Sequence, residues 1–254
     1  MLYNPFSLEG KTILVTGGSS GIGRSTAIEC AKLGASVIIV GRNIGRLTEV
    51  KDALDVSIGQ HHAIIVADLS SIEGIDEVVN NIPSLDGVVS NAGRPTKNIP
   101  LKFIKEQEIS DMFQMNTYSH VILAKLLFKK KLLNKGGSYV FTASIGGNTA
   151  FASGCSVYGM TKAAVNSFMK YCAVEFANRG VRCNCVCPGM IDTPFIYVDT
   201  LTKEDIEADA KNYLLKRYGK PEEVAHAIAF LLGDGASYIT GTSLIVDGGV
   251  SILH

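Results

Sequence analysis

The chain has no tryptophan, few prolines, no excess of either charge and no long apolar run, and each shortage excludes something. Its 24 basic and 24 acidic side chains leave no net charge, whereas nucleic-acid and membrane-surface binders carry a basic excess or stripe. A small molecule is the expected partner. No apolar stretch approaches the roughly 18 residues of a spanning helix, and the start MLYNPFSLEGKT lacks a basic segment followed by an apolar core; a cytoplasmic location is expected. Seven prolines build no linker, and no internal repeat or low-complexity tract interrupts the chain, so one domain over residues 1–254 is the economical reading. The six cysteines include RCNCVCPG, with Cys183, Cys185 and Cys187 at alternate positions. That period belongs to a strand and puts three thiols on one sheet face. Zinc sites pair their cysteines two to four residues apart and need four ligands, so core packing is expected and no metal.

Short β-rich runs alternate with amphipathic stretches throughout, the rhythm of parallel strands joined by helices. The strands are KTILVT, SVIIVG, HAIIVA, LDGVVS, GSYVFTA, VRCNCV and TSLIVD. Between them fall helical segments, notably SDMFQMNTYSHVILAKLLFKKKLL and the one containing CSVYGMTKAAVNSFMKY. The least regular stretch, about 193–220, follows the sixth strand, where open α/β sheets place their ligands; its length suggests a flap over the substrate.

Two motifs carry chemistry. The first strand runs into TGGSSGIGRSTAIECAKLG, a glycine-rich turn opening a helix. Gly17, Gly21 and Gly23 allow a tight turn, close approach to a pyrophosphate and close packing of the helix on the sheet, while the helix N-terminus attracts phosphate. No Gly-Lys-Ser/Thr follows, so it is not a P-loop. Further on, Tyr158 and Lys162 stand four apart on a helical pattern marked by Val157, Ala164, Val165 and Phe168, so they share a face. A cation beside a phenol lowers its pKa toward a useful range, although such spacing also arises on solvated faces.

The spacing T-G-x-x-x-G-x-G together with Tyr-x-x-x-Lys resembles the short-chain dehydrogenase/reductase family, and the likeness runs along nearly the whole chain. Asp68 in ADLS resembles the adenine-contacting Asp, with Leu69 beside it; Asn91, Ala92 and Gly93 in SNAG match the Asn-Ala-Gly motif. Asn116 in FQMNTY and Ser144 in TASIGG fall at the active-site Asn and Ser. Pro188, Gly189, Ile191 and Thr193 in PGMIDT resemble the segment that holds the nicotinamide carboxamide, and RYGKPEEVA and YITGTSLIVDGG resemble C-terminal landmarks. Ser144 and Tyr158 are one residue further apart than in common members, so the loop GGNTAFASGC is expected to bulge into the substrate pocket.

The resemblance implies a Rossmann-type doubly wound α/β fold, with a seven-stranded parallel sheet between helices, and reversible hydride transfer between a nicotinamide and a ketone or secondary alcohol. In that reading Tyr158 donates the proton and Lys162 lowers its pKa and binds the nicotinamide ribose. Ser144 bonds the substrate oxygen, and Asn116 holds a water linking Lys162 to solvent. Gly17, Ser19, Ser20, Gly21, Ile22 and Gly23 are the cofactor-binding residues of the turn. After the second strand, Gly41 stands where NAD-preferring relatives carry an acid, and Arg42 follows; a guanidinium suits a 2′-phosphate, so NADP(H) is expected over NAD(H).

The substrate is less defined. Ile145, Phe151, Met190, Phe195 and Tyr197 are candidates for an apolar pocket, and Arg94 for meeting an acidic substrate. Lys135 and Arg179 resemble in position a basic pair with which 3-oxoacyl-acyl-carrier-protein reductases dock their carrier, although basic residues at helix ends also complement the helix dipole. Other classes are a nicotinamide-binding sensor without catalysis and a Rossmann-like methyltransferase, which should carry an acid where Gly41 and Arg42 stand. The family likeness also implies a homo-oligomer, a tetramer or a dimer.

Overall fold

A computed structural model describes residues 4–95, 97–196 and 202–253. Seven strands, β1 (Thr12–Thr16), β2 (Ser36–Gly41), β3 (Ala63–Val66), β4 (Leu85–Ser90), β5 (Leu133–Thr142), β6 (Arg182–Pro188) and β7 (Ser243–Val246), form one sheet in the order β3-β2-β1-β4-β5-β6-β7. Every pairing is parallel. The inner strands are buried nearly throughout, which is why their sequences read as unbroken apolar runs. All seven fall where the sequence places them, within a few residues at the ends.

Among the described residues, eight α-helices flank the sheet. α1 (Gly21–Lys32), α2 (Ile44–Asp52) and α8 (Pro221–Leu232) bury Ala27, Leu47 and Ile228 in one core. α3 (Ile72–Asn80), α4 (Glu106–Phe113), α5 (Ser119–Lys129) and α6 (Ser156–Phe176) line the other with Ile75, Leu127 and Met169; α7 is Lys203–Ala210. The order in which strands are added reverses between β1 and β4, whose carboxyl ends open a crevice of the kind that binds ligands in such sheets.

The helical segment expected across residues 110–133 differs in two ways. A π-turn, Gln114–Tyr118, separates α4 from α5, with Ser119 N–H reaching back to the Gln114 carbonyl. Helical structure also stops at Lys129, since Lys131 has φ 57° and Leu133 begins β5. Between β4 and β5 the register slips: Leu85 faces Leu133 and Gly87 faces Ser138, so Asp86 stands opposite the four residues 134–137. Asp86 stitches this slip, accepting from Thr12 N–H at 2.9 Å and Asn134 Nδ2 at 2.8 Å.

Cys183, Cys185 and Cys187 are buried together in the α5/α6 core, beside Cys172, as the alternation requires. Burial pushes the thiols of Cys30 and Cys172 up to about 12 and that of Cys187 up to about 11. Only Cys155 is half-exposed. Thiolates, not thiols, react, so a disulfide reagent should titrate one thiol per chain in the native protein and all six after unfolding in denaturant.

Candidate active site

A cleft of about 1060 Å³ lies over the carboxyl ends of the strands. One half is built on the glycine-rich turn. Gly17 takes φ 66° and abuts Ala92, and Gly21 takes φ 52° at the start of α1, both left-handed values that glycine adopts without strain. Ser20, at the N-cap, makes no side-chain cap bond, and with Gly21 and Ile22 it brings the amino end of the 12-residue α1 to the cleft; such an end attracts phosphate. Ser19, Ile22, Leu69, Asn91 and Gly93 line the same space, as do Pro188, Gly189, Ile191 and Thr193. The β4 exit is fixed by Thr16, whose Oγ1 accepts from the N–H groups of Asn91 (2.9 Å) and Ala92 (3.0 Å).

The other half holds Ser144, Tyr158 and Lys162. Ser144 follows β5, and Tyr158 and Lys162 sit on the first two turns of α6. Lys162 is 3 % exposed and donates from Nζ to the Thr142 carbonyl at 2.9 Å. Burial pushes its pKa down to about 8. Its Nζ lies 6.0 Å from the Tyr158 ring centroid. The phenol is half-buried at the cleft wall, and desolvation pushes it up to about 12, opposed by the neighbouring Ser144 hydroxyl. The expected lowering of Tyr158 by Lys162 is therefore not found in the free protein, because burial outweighs a cation whose proton points at Thr142. At neutral pH the phenol keeps its proton.

The family model described as enoyl-(acyl carrier protein) reductase matches residues 17–251. A 3-oxoacyl-[acyl-carrier-protein] reductase of Rickettsia prowazekii is 35% identical over 243 residues, 96% of this chain and 98% of that protein. The rat dehydrogenase/reductase SDR family member 6 is 31% identical over 249 residues, 96% and 99% of the two chains. The chain belongs to the short-chain dehydrogenase/reductase family. A solved dehydrogenase/reductase of Sinorhizobium meliloti superposes with a TM-score of 0.88 at 28% identity, covering 97% of both chains. A Beutenbergia cavernae NAD(P)-dependent protein, solved with NADP at low occupancy, gives 0.87 at 29% identity over 97% of this chain and 99% of that one. Oxidoreductase chemistry with a nicotinamide dinucleotide is what the family performs.

Within this short-chain dehydrogenase/reductase, three expected site residues stand off the cleft surface. Gly23 packs against the turn, as a glycine there is expected to: an added Cβ would lie 2.2 Å from the Gly17 carbonyl oxygen. Asp68 is at the rim beside Leu69, its carboxylate accepting from Ser70 N–H (2.9 Å) and Oγ (2.7 Å), bonds that lower its pKa. Asn116 is fully buried in the π-turn; Oδ1 accepts from Arg94 N–H at 2.7 Å, and Nδ2 donates to the Arg94 carbonyl at 3.1 Å and to Met112 Sδ at 3.0 Å. Its amide clamps the β4 exit to the π-turn. Gly93 is wedged there: a Cβ would meet Asn116 Oδ1 at 3.3 Å and Lys162 Nζ at 3.7 Å.

Ile145, Phe151, Met190 and Phe195 line the cleft, as expected; Tyr197 lies outside the described residues. The loop after Ser144 also lines it through Gly146, Ala150 and Cys155. Arg94 turns away, its guanidinium 3.6 Å from Asp111. Arg179 donates to the Leu133 carbonyl at 2.7 Å and lies over the Phe128 ring, and Lys135 lines a small cavity at the amino end of the sheet. Arg46 and Asn43, close to Arg42, also line the cleft; Asn43 caps α2 by accepting from Arg46 N–H at 3.0 Å, and an Asn followed three residues later by a second basic residue was the sequence signal for it. Asp205 and Asp209, from α7, reach the cleft as well, and only the tertiary fold brings them there.

The native state holds Lys162 with a lower pKa than the unfolded chain does, so burial of its charge costs stability in full below pH 8 and is relieved as pH rises from 8 toward 10.5. Lys162→Met should therefore stabilise the free protein at pH 7 by an amount on the order of 1–2 kcal/mol after loss of the Thr142 bond, a rise in Tm of roughly 3–6 °C, while removing activity. Thermal melts should show this advantage shrinking between pH 8 and 10.

Proposed function

We propose that the protein is an NADP(H)-dependent oxidoreductase that interconverts a ketone and a secondary alcohol. The observation that carries this reading is that Ser144 and Tyr158 line one wall of a cleft, with the buried Lys162 one helical turn beyond Tyr158 and held on the Thr142 carbonyl. A nicotinamide dinucleotide held along the glycine-rich turn would supply the hydride for the carbonyl carbon. Tyr158 Oη gives its proton to the carbonyl oxygen, and the Ser144 hydroxyl donates a hydrogen bond to that oxygen as charge develops. The Lys162 ammonium favours the phenolate left behind. In the reverse direction the same phenolate accepts the alcohol proton.

Gly17, Gly21 and the open end of α1 would hold the pyrophosphate, and Asn91 and Thr193 the far end of the dinucleotide. Arg42 and Arg46 favour a 2′-phosphate: both are exposed at the cleft and Gly41 brings no carboxylate beside them. Arg42 is only loosely paired with Asp68, at 3.9 Å, so it can turn to a phosphate at small cost. Thr193, Phe195, Asp205 and Asp209 line the cleft from the stretch expected to be a flap, which supports a covering role over the substrate half; residues 197–201 of that stretch lie outside the described residues.

A carrier-linked substrate is the second reading, favoured by the name of the Rickettsia relative. The basic pair weighs against it, because Arg179 is occupied in capping Leu133 and follows a 21-residue helix, which at 1.5 Å per residue puts it about 30 Å from Tyr158. Exposed Tyr118, Tyr171 and Val174 on the outer helices support a homo-oligomer, a tetramer or a dimer, and six free thiols suit a reducing compartment such as the cytoplasm.

NADPH consumption on a panel of simple ketones, diketones, sugars, steroid ketones and acetoacetyl thioesters tests the reading. One class should turn over, and Tyr158→Phe should lower kcat by about 10²–10⁴-fold with NADPH affinity retained; tight NADPH binding with no turnover would favour a sensor. Arg42→Ala should raise KM for NADPH far more than for NADH. Because Tyr158 is held protonated, kcat/KM for alcohol oxidation should climb with pH from 7 to 10, while carbonyl reduction stays level near neutrality.

A further inference from the structure

Ser144 is a loop residue, and nothing in its own turn fixes it to the catalytic helix. A chain of side-chain amides does. Asn148 Nδ2 donates to the Ser144 carbonyl at 2.7 Å, Asn166 Nδ2 donates to Asn148 Oδ1 at 2.8 Å, and Ser243 Oγ donates to Asn166 Oδ1. Asn166 lies on α6 one turn beyond Lys162, so Tyr158, Lys162 and Asn166 follow each other at four-residue steps on one face. Ser243 opens β7 and pairs with Cys185 of β6. The chain therefore joins the sheet, the helix that carries Tyr158 and Lys162, and the loop that carries Ser144.

A backbone contact closes the other side of the loop. Gly147, at φ 81°, lies so close to α6 that an added Cβ would fall 2.0 Å from the Gly159 carbonyl oxygen. With Gly147 against Gly159 and Asn148 tied to Asn166, the loop rests on α6 at two points, one on each side of the level of Lys162. The polarity of the chain runs one way. Each amide uses its oxygen to accept from the preceding member and its nitrogen to donate to the next, ending on a carbonyl that can only accept.

We propose that Asn166 and Asn148 are positioning residues that act as one unit, setting the distance between the Ser144 hydroxyl and Tyr158. This rests on the oxidoreductase reading for its catalytic consequence, but the mechanical claim stands apart from it. Small misplacements of a reacting group are costly to rate, so the unit should tell on kcat more than on binding.

The test uses Asn166→Ala, Asn148→Ala, the double variant and Asn148→Asp. Asn148→Asp still accepts from Asn166 but faces the Ser144 carbonyl with an acceptor. Each single variant should lower kcat by about tenfold, with the dissociation constant for NADPH, read by its fluorescence, unchanged within about twofold. The double variant should be no worse than the weaker single one. Hydrogen–deuterium exchange of the free protein supplies a readout independent of turnover: amides of residues 145–150 should exchange faster in Asn166→Ala, with those of α6 unchanged. Unaltered loop protection, multiplicative losses in the double variant, or a fall in NADPH affinity parallel to kcat would overturn the proposal. If the wild type turns over no ketone but Asn166→Ala still loosens 145–150, the hydrogen-bond unit stands and the oxidoreductase reading fails.

Discussion

A buried ammonium must be hydrogen-bonded or give up its charge, and the bond from Lys162 to the Thr142 carbonyl is the constraint around which the site is arranged. Thr142 ends β5, the strand paired with both β4 and β6, so the lysine is referenced to the middle of the sheet. Everything that must face Lys162 is then measured from there. Gly93 has no side chain because it fills the gap between Lys162 and Asn116, and the π-turn lets Asn116 reach back to the main chain of Arg94. Thr117 adds a bond from the same turn to the Thr161 carbonyl at 3.2 Å, tying it to α6 next to the lysine.

The arrangement separates two demands. The dinucleotide half relies on main-chain geometry: positive-φ glycines, an uncapped helix end and amides fixed by Thr16. The reacting half relies on side chains whose charges are tuned by burial. Tyr158 is kept protonated and Lys162 is brought near neutrality by the same cause, removal from water, acting on groups of opposite charge type. Such a site stores electrostatic cost in the free protein, a common feature of proton-transferring groups.

Much of this was legible in the sequence because it depends on local pattern. Apolar runs of the right length placed all seven strands, and the alternation in RCNCVCPG placed the three thiols on one face. The glycine turn, Ser144, Tyr158 and Lys162 were identifiable because their spacing is itself the signal. Other features were hidden for reasons of distance. The π-turn is an insertion in hydrogen bonding that leaves the apolar period nearly intact, so residues 110–129 read as one helix. The direction of the Tyr158 shift depends on burial, which spacing does not reveal. Arg179 looked available to a carrier, and only its bond to the Leu133 carbonyl, 46 residues away, shows it engaged.

The slipped register between β4 and β5 has a further meaning. The four residues 134–137 are accommodated opposite Asp86 at the amino end of the sheet, while from Ser138 onward β5 runs in step to Thr142. Gly136, at φ 79°, has nothing within 4 Å of where a Cβ would stand. Length has thus been taken up on the side of the sheet away from the chemistry, and the strand arrives at Ser144 with its phase unchanged. The two ends of the barrier between the helical layers are mechanically unequal: one is a place where chain can be added, grafted or lengthened, and the other is a place where a single residue counts.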